Sequence, residues 1–398
     1  MVSREKFFGT LKQSLMAYVF NLCGVLAGTV VAFQLGLFSM APWVIAVYPG
    51  IISARGVIGG LLSGRLGTGL HIGTVRPRFF GNTKSFYLLF KAVVVLTLET
   101  SVAMSLVAVI FGIFFWGAKL TDLFATLGVI TATMALALVI VSPLTLVVSF
   151  ISFKRGLDPD IILYPVESTI SDVLITLCYV LILSLFFLVG SFGTFIIILL
   201  CLILAVSSCY LLYRNWRERE FVRTLKESFL TLMFVAFIVN VTGSVLGKIS
   251  EVVGARREVY TVYPALIDTT GDVGAVIGST ATTKLALGTL KPSLSAAVNH
   301  LNEIIGAWTA SIIMFIIYSI LSLLIQGILI SDVFIKFTAL LLTANVLAVS
   351  FIVAISWAVS IITFQHGLDP DNFVIPIESS MADSMMTISL FIALALIG

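Results

Sequence analysis

Two stretches of this chain carry carboxylates, hydroxyls and prolines in the same order. Residues 156–176 read GLDPDIILYPVESTISDVLIT and residues 367–387 read GLDPDNFVIPIESSMADSMMT, at a constant offset of 211. Each holds Ser, Asp and Thr at steps of four: Ser168, Asp172 and Thr176 in one, Ser379, Asp383 and Thr387 in the other. Residues four apart lie above one another on a helix, so each stretch predicts a narrow polar stripe on an apolar helix. A carboxylate there can meet a cation or close a structural hydrogen-bonded pair.

Further acids surround the two stripes. Glu167 and Glu378 precede the Asp by five residues, about 140° around the helix and therefore off the stripe. They sit near the expected helix starts, where a carboxylate also favours the positive end of the dipole, so capping and lining are both open. Asp268 and Asp272 lie four apart on one face of a glycine-rich segment opened by Tyr263-Pro264, a spacing that suits a cation relay. The corresponding segment, opened by Tyr48-Pro49, has Ser53 and Val57 at those positions, with Arg55 between them. The Asp-Pro-Asp turns at 158–160 and 369–371 fit helix N-caps or an acidic rim. His71, His300 and His366 read as isolated polar residues. Oxygen donors without a thiol or imidazole cluster suit a hard cation better than zinc or copper. Magnesium keeps several waters and needs only one or two carboxylates.

The elements that must position these residues are membrane helices. Of 398 residues, 59% are hydrophobic and 11% charged, against roughly 25% charged in soluble domains. Apolar runs fill nearly all of the chain, each long enough to cross about 30 Å of hydrocarbon. This composition predicts an all-α polytopic membrane protein and excludes a soluble domain; the net charge of +3 gives no reason to expect nucleic acid. Eleven helices are expected, at 11–38, 43–66, 86–116, 120–152, 162–189, 192–213, 225–248, 260–285, 297–327, 331–363 and 373–397. The first is expected to be an uncleaved span, since no small-residue cleavage site precedes it. The four cysteines fall inside apolar helices and read as packing residues.

The duplication is wider than the two stripes. Asn21-x-x-Gly24 answers Asn240-x-x-Gly243, Tyr48-Pro49 answers Tyr263-Pro264, and Gly73-Thr74 answers Gly288-Thr289. Offsets of 219, 215 and 211 along the chain are those of a diverged tandem repeat with shortening loops. The division expected is a first repeat at 1–190, a linking helix and basic segment at 191–222, and a second repeat at 223–398. Five helices per repeat end on the far side of the membrane, and the linking helix 192–213 restores the direction. The repeats are then parallel about a pseudo-twofold axis along the membrane normal. Placing the N-terminus inside assigns 17 of 23 Lys and Arg to the cytoplasmic side, five of them in the segment RNWREREFVRTLKE, and leaves the C-terminus outside the cell.

The pattern resembles the MgtE-type divalent cation transporters, especially the fused two-repeat solute carrier family 41. Residues 49–73 and 264–288 resemble the family's Pro- and Gly-rich second helix, and 156–172 and 367–383 its D-P-x-N, P-x-x-x-S, x-x-x-D region. The resemblance implies a pathway between the two repeats, lined by helices 2 and 5 of each, with Asp172 and Asp383 coordinating hydrated Mg²⁺. It implies a lipid bilayer and a divalent cation as the partners, Na⁺ or H⁺ as a possible coupling ion, and a single chain acting as a fused pseudo-dimer. The cytosolic magnesium sensor of the bacterial proteins has no counterpart ahead of helix 1, so gating by it is not expected. Gly56-Val57 and Gly271-Asp272 replace the family's frequent Gly-Asn.

Two other classes compete. Gly271-Asp272 resembles part of an intramembrane di-aspartyl protease motif, but Asp172 and Asp383 are equivalent positions of a duplication with matching neighbours. A structural or receptor protein has no need of acids retained in both repeats. Arg55 poses a separate problem, because a charge pair at 4 Å is worth about 4 kcal/mol at an effective dielectric of 20. It should be neutralised by a carboxylate, with Glu99 or an acid of helix 8 (260–285) as the expected partner, or point away.

Overall fold

A computed structural model describes residues 4–115, 117, 119–120, 122–155, 159–253, 256–367 and 371–397; the side chains at 159–169, at 244–253 and at some other helical positions lie outside the description. All described elements are helical: α1 (Arg4–Tyr18), α2 (Leu22–Phe33), α3 (Leu35–Phe38), α4 (Pro42–Ile72), α5 (Lys84–Phe115), α6 (Asp122–Lys154), α7 (Pro159–Leu188), α8 (Ser191–Asn215), α9 (Arg219–Val253), α10 (Arg257–Ala286), α11 (Leu301–Ile325), α12 (Ser331–Gln365) and α13 (Asp371–Ile397), with short 3-10 turns at Val19–Asn21 and Leu294–His300. Each of the eleven expected helices is present, the first of them in the three pieces α1 to α3.

Nine stretches among the described residues are long and apolar enough to cross a membrane, which makes the chain a polytopic membrane protein. Helix α10 is not one of them, because Asp268, Asp272 and its row of threonines lower its hydropathy. Its setting explains how that is tolerated. Packed against α2, α11, α12 and α13, it turns little of its surface outward, and a helix enclosed by protein need not match lipid. Helices α4 and α10 also run unbroken through Pro49 and Pro264, so the Gly-rich second helices are closely packed rather than interrupted.

The chain forms two compact units. The N unit is Gln34–Gly247; the C unit joins Met1–Phe33 to Lys248–Gly398. The first helix of the chain therefore packs among helices of the second repeat, while α9 as far as Gly247, its counterpart in the duplication, packs among helices of the first. Glycine makes both crossings possible. A Cβ at Gly28 would collide with the Thr261 carbonyl on α10, and one at Gly243 with the Ala46 carbonyl on α4. Small residues allow backbones to approach this closely, the usual means of helix association in lipid. These units describe packing, whereas the expected boundaries at residues 190 and 223 describe recurrence in the sequence.

Within the N unit, α4 packs on α5, α6 and α7, and α8 on α5, α6 and α7. Leu88, Ala92, Val95 and Leu96 of α5 close on Phe221 and Leu225 of α9. Buried hydroxyls are satisfied locally: Thr97, Thr100, Ser101 and Ser105 each donate to the carbonyl four residues back, at 2.7–2.8 Å. This back-bonding lets a polar face exist on an apolar helix.

Candidate cation site

In the C unit the acids of α10 and α13 are brought together. Asp383 is 5% exposed and Glu378 2% exposed, while Asp272 is half-buried on the facing helix. The Glu378 side chain lies against Gly271 and Gly274: a Cβ at Gly274 would stand 2.5 Å from Glu378 Cγ and 2.8 Å from Ser356 Oγ on α12. Glycine at that position of α10 is what makes room for the carboxylate. Glu378 stands two turns inside α13, which begins at Asp371, so it is not a cap. Its Oε2 is buried with no hydrogen-bond partner among the described residues, and Asp272 and Asp383 are the charges acting on it. Ser379 is half-buried one turn before Asp383.

The exchanged first helix adds a residue that spacing did not single out as part of a site. Asn21 Nδ2 donates to Asp272 Oδ2 at 2.7 Å and to Thr269 Oγ1 at 3.1 Å, and Thr269 is joined to Tyr318 of α11 at 2.6 Å. Asn240, its counterpart in the N unit, instead donates to Ala236 O of its own helix at 2.7 Å. Val57 occupies the position of Asp272 there and offers no acceptor. Asp268 is half-buried one turn before Asp272.

The N unit is electrostatically different. Arg55 Nε stands 3.7 Å from Asp172 Oδ1, with side chains 6% and 2% exposed. Asp172 is thus a partner of Arg55, one that spacing in the sequence did not single out. The reason is geometric: Asp172 on α7 faces α4 in the same unit. Beside Arg55 lies a small cavity of about 30 Å³, walled by Ile58, Leu62, Thr97, Met134 and Ser142 among others. No acid is found among its described lining residues. Glu167, Ser168 and His71 have side chains outside the described residues, as does Asp160, and Asp158 and Asp369 lie wholly outside them.

The threonine of each stripe has a structural task. Thr176 donates to the Asp172 carbonyl and Thr387 to the Asp383 carbonyl, both at 2.6 Å. Each threonine has a single hydroxyl hydrogen, so the bonds Tyr48–Thr176 (2.9 Å) and Tyr263–Thr387 (2.8 Å) are donated by the tyrosines. The Tyr of each Tyr-Pro pair thereby ties the second helix of its repeat to the helix bearing the Asp.

His300 is not isolated, contrary to expectation. It is fully buried, with Nδ1 3.1 Å from Lys284 Nζ and Nε2 3.0 Å from Thr280 Oγ1, and its ring lies over Trp357 at 5.3 Å. Lys284 also binds Glu303 Oε1 at 2.6 Å. The ammonium can only donate, so Nδ1 accepts and Nε2 carries the hydrogen. The fold joins the end of α10 to the start of α11 here, a closure that isolated residues in the sequence did not reveal. In the N unit the basic segment after α8 works similarly: Lys84 pairs with Glu218 at 2.8 Å and Arg65 donates to Thr224 at 2.6 Å.

Among the described residues no group of three or more His, Cys, Asp or Glu side chains is disposed to hold a metal ion directly. The arrangement nonetheless offers oxygen donors of the kind hard cations take, in a buried setting where uncompensated negative charge is unfavourable.

Comparison with known proteins places these features in a family. No curated protein matches the chain. Two solved structures match at a low level: a crystal structure of MATE in complex with Br-NRF, 13% identical over 98% of this chain and 95% of that one with a TM-score of 0.31, and an inward-facing multidrug resistance MATE family transporter of the MOP superfamily, 14% identical over 100% and 94% with a TM-score of 0.32. Likeness of that degree carries no argument. The sequence pattern of the MgtE divalent cation transporters matches twice, at residues 48–182 and at residues 263–393. Those segments begin at the two Tyr-Pro pairs, include both polar stripes and take in more than half of the chain, which therefore belongs to the MgtE divalent cation transporter family.

Proposed function

We propose that this chain moves magnesium, or a similar hard divalent cation, along an acidic pathway to which the C unit contributes Asp383, Glu378, Asp272 and Asp268. The observation that carries this reading is the burial of Glu378 under the influence of Asp272 and Asp383. Carboxylates gathered away from bulk water repel one another unless a proton or a cation sits among them. Oxygen donors favour a hard ion, and magnesium retaining part of its water shell needs only one or two of them directly. Ser379 meets that shell with its hydroxyl. Glu167 and Ser168 are the corresponding candidates of the first repeat, and Asp172 enters through its pairing with Arg55. One chain carrying both repeats acts as a fused pseudo-dimer in the cell membrane, its N-terminus cytoplasmic and its C-terminus outside.

The test is flux into proteoliposomes of purified protein, comparing Mg²⁺, Mn²⁺, Co²⁺ and Ca²⁺ with and without Na⁺ and pH gradients. Divalent uptake is expected, and Asp383→Asn is expected to lower it about tenfold or more, since a contact to a charged group is worth about 1.5–3 kcal/mol. A response to one gradient identifies Na⁺ or H⁺ as the coupling ion; indifference to both identifies a channel. No divalent uptake under any condition overturns the reading.

A further inference from the structure

The duplicated stripes present the same carboxylate in two unlike settings. At the Asp383 end the facing helix α10 offers Asp268, Thr270 and Asp272; at the Asp172 end α4 offers Ser53, Arg55 and Val57 at the same positions of the repeat. Arg55 is 5% exposed, and its Nε lies 3.7 Å from Asp172 Oδ1. The cavity beside it, between α4, α5 and α6, is otherwise lined by apolar and hydroxyl side chains, with no acid among the described ones. An arginine keeps its charge at every pH a protein meets, so Arg55 cannot relieve its burial by losing a proton. Asp172 is an anion placed to compensate it. The pair is neutral as a whole, whereas the stretches of α10 and α13 around Asp383 carry Asp268, Asp272 and Glu378 as well.

We infer that Arg55 is a built-in cation that engages Asp172, withdraws that carboxylate from the transported ion, and so sets the apparent affinity of the transporter for it. The inference rests on the divalent-transport reading and deepens it. Asp172 is then a counter-ion first. Removing it leaves a buried guanidinium whose field opposes the approach of a divalent ion; removing Arg55 releases a carboxylate that adds to the attraction. A passive ion pair produces neither effect on the ion.

The decisive measurement is concentration-dependent Mg²⁺ flux in proteoliposomes for Arg55→Thr, Asp172→Asn and the double variant, with thermal stability recorded for each. Thr is the residue at the corresponding place in the second repeat, position 270. Arg55→Thr is expected to lower the KM about fivefold or more, and Asp172→Asn to reduce flux about tenfold or more, an unscreened charge at this range being amply large enough. The double variant is expected to recover flux to within about threefold of the parent, because both charges leave together. Arg55→Lys, which keeps the charge, should shift the KM less than Arg55→Thr does. If the double variant stays as inactive as Asp172→Asn, Asp172 is itself a required ligand and the inference falls. Changes in stability with an unmoved KM overturn it too, leaving a packing ion pair. Should Arg55→Thr fail to fold, the recovery or non-recovery of the double variant still decides. Absence of flux in the parent overturns the transport reading and this inference with it, whereas parent flux with a dead double variant overturns this inference alone.

Discussion

Tyr263 on α10 donates its hydroxyl hydrogen to Thr387 on α13 across 2.8 Å, one turn beyond Asp383. Thr387 in turn donates to the Asp383 carbonyl, so the bond fixes the helix face on which Asp383 stands relative to α10. Tyr48 and Thr176 repeat the arrangement beside Asp172. Tyr263→Phe and Tyr48→Phe are each expected to destabilise the protein by about 0.5–1.5 kcal/mol, toward the lower end because side-chain bonds between membrane helices average about 0.6 kcal/mol. Thermal melting in detergent reads the stability, and flux reads the positioning. Unaltered melting and unaltered flux in both variants would show that these bonds position nothing.

Glu378 offers a sharper separation of function from stability. A buried carboxylate with an oxygen unpartnered among the described residues, beside two other acids, is unfavourable to the fold. Glu378→Gln keeps the volume and removes the charge, so melting should stay the same or rise while divalent flux falls by about tenfold. A fall in stability with unchanged flux assigns Glu378 to packing instead.

The Lys284–Glu303 bond joins α10 to α11 with side chains 29% and 12% exposed. A double-mutant cycle of Lys284→Met and Glu303→Gln should show a coupling of about 1 kcal/mol, discounted from the values of fully buried pairs because solvent reaches the lysine. Additive effects on melting would mean that the 2.6 Å contact contributes no net stability.

Topology follows from the distribution of Lys and Arg. With the four native cysteines replaced, single cysteines at the exposed positions Trp216 and Leu287 should label from the cytoplasmic side, and one at Ile330 from outside. Labelling of Trp216→Cys and Leu287→Cys from opposite sides is incompatible with both α9 and α10 crossing the membrane.

The sequence by itself determined the class, the helices and the duplication. Hydropathy and length decide which segments suit a bilayer, and the recurrence of Tyr-Pro, Pro-x-Glu-Ser and the stripe Asp at nearly constant offset needs no partner to be seen. It also marked the helix faces that carry acids, since a four-residue spacing specifies a face. What each face meets was decided by the tertiary structure alone. Asn21 was legible as a repeat anchor, yet its bond to Asp272 exists because the first helix packs in the C unit. Arg55 was legible as a charge needing compensation, but Asp172 became its partner through the packing of α4 on α7. His300 looked solitary because Lys284 and Glu303 reach it only where α10 and α11 close together. Periodicity reports the direction in which a side chain leaves its helix; the residue it reaches depends on which helix is packed opposite, a choice made by glycine crossings and burial over the whole unit.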